Sequence, residues 1–180
     1  MHCSIFLHPY LVGSLPNPVF KRILVPYDGS GAADKALDQA VKIATSVDRE
    51  NRPNVILLHV ISEFPTHHFI ERPARSIKTG ERVTLSMYLK EVYEMMLENA
   101  AAALAKKRDE IKKASDFEIK TRVLAADHIA DTVIKVAEKE KVDLIVIGNV
   151  GRSGMSKIRT LGSVSRSVSE RAPCAVMIIH

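Results

Sequence analysis

The apolar residues of this chain switch repeatedly between short unbroken runs and stripes at three- and four-residue spacing, and no other feature restricts its fold as much. Lys21 to Tyr27 (KRILVPY) holds one run, stopped by Pro26 and Asp28-Gly29-Ser30, which suits a strand buried on both faces and then a turn. Val55 to Ile61 (VILLHVI), Asp143 to Ile147 (DLIVI) and Cys174 to Ile179 (CAVMII) repeat that pattern. Helical stripes lie between them. From Gly31 to Arg49 one stripe carries Ala33, Ala36, Leu37, Ala40, Val41, Ala44 and Val47, and from Thr84 to Lys113 a longer one carries Leu89, Val92, Tyr93, Met96, Ala100 and Leu104. A third carries Ile129, Ala130, Val133, Ile134 and Ala137 behind Asp127 as its cap, and a short helix follows from Ser163 to Arg171. Phe117 to Leu124 alternates weakly, as expected for a strand near a sheet edge, while Ser62 to Arg82 is polar and turn-forming.

Strands separated by helices favour parallel pairing, because each crossover helix returns the chain to the same end of the sheet. The expectation is an α/β fold, an open five-stranded parallel sheet flanked by helices, Rossmann-like, with strand order 3-2-1-4-5. At 180 residues the chain holds one domain with a core of its own, placed at residues 20–180. Residues 1–19 are expected as an N-terminal arm outside the core. His2 to Phe20 lacks Lys, Arg, Asp and Glu, but Pro9, Pro16 and Pro18 break any membrane-crossing helix, and neither a basic leader nor a cleavage site is present. Cys3 and Cys174 are the only cysteines and have no C-x-x-C spacing, so a reducing cytoplasm fits best, without a zinc or redox motif.

In an open α/β sheet, ligands bind beyond the carboxyl ends of strands where the winding reverses. Two such ends carry suitable residues: Pro26-Tyr27-Asp28-Gly29-Ser30, and Gly148-Asn149-Val150-Gly151 followed by Gly162-Ser163 at a helix start. Glycines admit an anion close to the backbone, and a helix N-terminus offers N–H groups and partial positive charge. Between Gly148 and Arg171, Arg152, Lys157, Arg159, Arg166 and Arg171 face only Glu170, so this segment carries +4 of the chain's +5. Phosphate is the natural ligand. Two plainer readings stand beside it: the glycines serve only the turns, and Asp28 caps the helix after it.

Gly148-x-x-Gly151, then Gly162-Ser163-Val164, with Pro26-x-Asp28-x-Ser30 after the first strand, LLHV at Leu57 to Val60 and APCAVMII at Ala172 to Ile179, resembles the universal stress protein family over Phe20 to His180. That resemblance implies a stress-response regulatory protein that binds ATP or another adenine nucleotide with little or no turnover. Carried over, Gly148, Gly151, Gly162, Ser163 and Val164 face phosphate and ribose, Pro26 and Asp28 lie beside the nucleotide, and Val60 offers its backbone to adenine. Mg²⁺ or Mn²⁺ would arrive on the phosphates, since Asp28 alone is too little for a protein cage. The resemblance also implies a homodimer through the C-terminal strand. Nucleotide-binding members usually have nine residues between the second glycine and Gly-Ser; here Arg152 to Leu161 make ten, which either bulges at Gly154 or displaces the cradle. The alternative function is a nucleotide-free homodimeric adaptor acting through protein contacts.

Other chemistry is poorly represented. The chain lacks G-x-x-x-x-G-K-[ST], S-G-G-x-D-S, H-x-G-H and a first-loop G-x-G-x-x-G, the signatures of NTPases, ATP pyrophosphatases, nucleotidylyl transferases and NAD enzymes. His67-His68 has no acidic or cysteine partners for a metal shell, and His59 reads as a satisfied core histidine. Ser163 and Ser165 are candidate phosphoryl acceptors without a base, and Met95-Met96 with Tyr93 reads as helix packing. Nucleic acid ranks last, because aromatics are few and no recognition motif accompanies the basic charge.

Overall fold

The computed structural model describes residues 3–6, as backbone alone, and residues 20–62, 72–151 and 161–180. The chain runs β1 (Cys3–Phe6), β2 (Arg22–Pro26), α1 (Gly31–Thr45), a 3₁₀ turn, β3 (Asn54–Ser62), β4 (Pro73–Arg75) and β5 (Arg82–Thr84). It continues through α2 (Leu85–Ser115), β6 (Lys120–Ala126), α3 (Ile129–Lys139), β7 (Leu144–Gly148), α4 (Ser163–Arg171) and β8 (Ala175–Ile179). Across the main sheet the order is β6-β3-β2-β7-β8-β1, and every pairing except β8 with β1 is parallel. The five parallel strands follow the order expected from the sequence.

Along β2, β3, β7 and β8 both faces of the sheet are largely dry, as the unbroken apolar runs require, while β6 at the edge is only partly buried. Alternate residues divide between the two faces. Ile23, Val25, Leu57, Leu144, Val146 and Met177 face α1 and α2, where Ala36, Leu37, Ala40 and Leu104 pack on them. Leu24, Ile56, Leu58, Ile145, Ile147 and Ile178 face α3 and α4, against Val133, Val136, Ala137 and Val168. Asp143 locks the entrance of the central strand, accepting the N–H groups of Lys21 at 2.8 Å and Arg22 at 3.2 Å.

Several expectations need correction. Cys3–Phe6 does not lie outside the core sheet but pairs antiparallel with β8, so β8 is not the edge strand. An exposed row of backbone N–H and C=O groups on so apolar a strand is a strong template for pairing, and the arm answers it. Phe117 and Ile119 precede β6; their burial in the α1–α2 layer, not a ladder, accounts for their apolar character. His128, not Asp127, occupies the N-cap of α3, and no side chain caps that helix.

Within the stretch expected as turns, β4 and β5 form a hairpin against α2. Glu91 pins it, accepting the Ser76 hydroxyl at 2.7 Å and the Ile77 N–H at 2.8 Å. Met95 and Met96, expected as packing, are exposed instead, together with Met87 and Ile77. The reason is length. A helix of 31 residues spans about 46 Å, while nine-residue β3 spans about 30 Å, so α2 outruns the sheet it covers.

Candidate functional site

β2 and β7 are hydrogen-bonded neighbours, yet the chain leaves β2 toward β3 on one side and leaves β7 toward β8 on the other. Their carboxyl ends therefore diverge, and a cleft of about 580 Å³ opens there. Pro26, Asp28, Val60, Gly148, Gly151, Gly162, Ser163 and Val164, the eight positions selected from the sequence, all line it.

The turn after β2 is built from short side chains. The Asp28 carboxylate accepts the Ser30 N–H at 3.0 Å, and the Ser30 hydroxyl accepts the Ala33 N–H at 3.2 Å. Ser30 is thus the cap of α1, and the capping reading of Asp28 is corrected. With Gly29 at φ +79°, a backbone that glycine adopts freely, the turn carries Asp28 over to the opposite loop. A Cβ on Gly151 would lie 2.8 Å from Asp28 Oδ2, and one on Gly148 would meet Ala32 backbone and side chain at 2.8 Å. Backbone contact requires glycine at position 148, while at position 151 any side chain would have to push the Asp28 carboxylate aside.

Across the cleft, Asn149 ties the second loop. Its N–H donates to Ile179 O at 2.8 Å, while its carbonyl accepts the Gly162 N–H at 2.7 Å and the Ser165 hydroxyl at 2.8 Å. Val150 and Gly162 are thereby held side by side, whatever the number of residues between them. Gly154, the expected bulge, lies outside the described residues. Gly162 has no side chain to cap α4, and the first bond of that helix runs from the Arg166 N–H to Gly162 O. The N–H groups of Ser163, Val164 and Ser165 precede the ladder and mark the positive end of the helix. Ser165 itself is buried with its hydroxyl committed to Asn149, which removes it as a phosphoryl acceptor, whereas Ser163 is exposed.

The remaining wall is apolar: Leu58 and Val60 from β3, Ile129 and Val133 from α3, and Ile147 from β7. Apart from Val60, sequence reasoning placed these residues in the core without assigning them to a cleft. Ile129 and Val133 lie on the α3 stripe, and nothing in a stripe marks which of its residues reach beyond the sheet.

Tyr27 was also missed as a lining residue. Its hydroxyl donates to Asp34 Oδ1 at 2.8 Å, Lys107 of α2 approaches the same oxygen at 3.0 Å, and its carbonyl accepts His59 Nδ1–H at 2.6 Å. His59 is half-buried and satisfied. Burial would raise the Asp34 carboxyl, but the Tyr27 hydroxyl and the Lys107 ammonium outweigh it and hold Asp34 below its ordinary value. Burial, and then the bond to Asp34, push the Tyr27 phenol up to about 12. The folded chain then keeps a phenolic proton that the unfolded chain loses, so stability falls as pH rises from about 10 to about 12. Tyr27→Phe should lessen that alkaline loss while Lys107 still pairs with Asp34. Melting temperatures at about pH 9 and pH 11.5 measure it, and an equal drop in both proteins would contradict the assignment.

No group of three or more potential metal ligands exists among the described residues, and His67-His68 lies outside them. Among the described residues, no helix is long and apolar enough to cross a membrane.

Comparison with known proteins gives a consistent result. The family model described as Universal stress protein family matches residues 20–180. Universal stress protein MJ0531 of Methanocaldococcus jannaschii is 30% identical over 89% of this chain and 82% of its own length. Universal stress protein Rv1636 of Mycobacterium tuberculosis is 31% identical over 89% and 97%. Among solved structures, the universal stress protein UspA from Lactobacillus plantarum superposes with a TM-score of 0.68 at 26% identity, covering 89% of this chain and 98% of that one. A universal stress protein in complex with cAMP shares the fold at 24% identity and a TM-score of 0.57, covering 89% and 97%.

Proposed function

This chain belongs to the universal stress protein family, and we propose that it is a stress-response regulatory protein of the cytoplasm that binds ATP or another adenine nucleotide with little or no turnover. The observation that carries this reading is the two-sided character of the cleft. Leu58, Val60, Ile129, Val133 and Ile147 offer a flat base an apolar wall, while uncapped α4 and the Gly151 loop offer phosphates N–H donors and positive potential. In this reading Val60 presents its backbone to adenine, Pro26 and Asp28 lie beside the nucleotide, and Gly148, Gly151, Gly162, Ser163 and Val164 surround ribose and phosphates. A Mg²⁺ or Mn²⁺ ion carried by the phosphates would offset their charge, with Asp28 the one carboxylate lining the cleft among the described residues.

The reading includes slow or absent turnover. Among the described residues the cleft contains no histidine, cysteine or lysine, and its only acid, Asp28, is engaged with Ser30. The reading also includes a homodimer through uncharged β8, formed when the outer edge that β1 occupies is free. Calorimetric titration of ATP into nucleotide-stripped protein, with and without Mg²⁺ and with cAMP in parallel, tests the binding site. Saturable heat with no steady phosphate release is expected. No heat at millimolar nucleotide would overturn the nucleotide reading in favour of the adaptor, and sustained hydrolysis would overturn the low-turnover part.

A further inference from the structure

β8 has two edges, and both are taken. β7 occupies one in parallel, and β1 occupies the other antiparallel, with Cys3 opposite Ile179 and Phe6 opposite Val176. A strand that pairs with its own copy across a two-fold axis must do so antiparallel, because the axis reverses its direction. β1 therefore lies on β8 in the sense that a second copy's β8 would take, and it covers four of the five residues. One row of backbone donors and acceptors cannot serve both.

We propose that β1 is an internal stand-in for a second copy of the chain: paired with β8 it keeps the protein monomeric, and its displacement opens the strand for β8–β8 association. This inference rests on the dimer reading given above. The competitors are chemically alike, since Cys3-Ser4-Ile5-Phe6 and Val176-Met177-Ile178-Ile179 are both uncharged and largely apolar. What separates them is concentration. The arm is tethered, which gives it an effective concentration of order millimolar, whereas a second copy competes at its concentration in solution. The tether reaches easily: in the order β1-β8-β7-β2 the strands are three spacings apart, about 14 Å, and the thirteen residues 7–19 extend to roughly 40 Å. Phe6 also sits at the end of β8 level with the start of β2, because β8 and β2 run the same way. A four-residue pairing is short, and a two-stranded contact of that size is only marginally stable in isolation, so displacement is within thermal reach.

Light scattering on eluting peaks at micromolar concentration tests the proposal with three proteins. Wild type is expected at its 19.9 kDa chain mass. A Ser4→Pro/Ile5→Pro double variant removes two adjacent N–H groups, one of which faces β8 whichever way the ladder alternates, and is expected at twice that mass. Ile179→Cys places a thiol opposite Cys3, within the span that a disulfide bridges, and mild oxidation should cross-link within one chain and hold it monomeric. Cys174 stays out of this reaction, since burial pushes its thiol up to about 11. A wild-type dimer left unchanged by the proline variant would keep the dimer reading and overturn the stand-in. Monomers throughout would overturn both. A disulfide joining two chains would place the arm on a neighbouring copy and overturn the stand-in alone.

Discussion

Gly151→Val is expected to weaken ATP binding by about 100-fold, with the fold intact. A valine Cβ at this position would lie 2.8 Å from the Asp28 carboxylate, a distance that real contacts do not show, and Asp28 is held by the Ser30 N–H. Either the loop retreats from the turn or the carboxylate leaves its place, and both outcomes disturb the narrow point where backbone and phosphate must meet. Losing donors to an anionic group, with no compensating contact, is worth about 2 to 3 kcal/mol, which sets the two powers of ten. Gly31→Ala is the control, because a Cβ there meets nothing within 4 Å. Calorimetry on both variants measures the effect. Wild-type affinity in Gly151→Val would remove phosphate from this loop.

The second large effect falls on stability. Leu57→Ala should cost about 3 kcal/mol and lower the melting temperature by about 10 °C. Leu57 is fully buried on β3, strands β2 and β6 flank it, and α1 and α2 cover its face, so no flexible element can move in to fill the void. Urea denaturation gives the number directly. A loss below about 1 kcal/mol would mean that this layer can collapse around the cavity, against the rigid two-faced packing described above.

The parallel core was legible because both of its signals are local. A strand buried on two faces must be an apolar run, and Pro26, Pro53 and Gly148 punctuate those runs where the ladder stops. β1 had no such mark. Four residues among Pro9, Pro16 and Pro18 carry no period that separates strand from coil, and their pairing depends on β8, more than 160 positions away. At the cleft, the glycines and Asp28 stood out because tight turns admit few residue types, and the family resemblance supplied Val60 and Pro26. The cap of α1 did not stand out. Asp28 and Ser30 are both good capping residues, and only the backbone geometry assigns Ser30 to the helix and Asp28 to the turn. The apolar wall was hidden for a different reason, since a side chain that ends a hydrophobic layer has the same composition as one in its middle.

The clasp at Asn149 bounds what the additional residue between Gly151 and Gly162 costs the fold. With the Gly162 N–H and the Ser165 hydroxyl both gathered on the Asn149 carbonyl, the ends of the connecting segment are joined by the fold itself, before any ligand arrives. Its closure entropy is part of the folding free energy, not of the binding free energy. That entropy grows only as the logarithm of segment length, so ten residues in place of nine add about 0.1 kcal/mol, which is negligible beside the stability of a domain. Length between the two glycines is therefore a free variable for such a chain, able to drift by insertion while the anchors that define the cleft stay where they are.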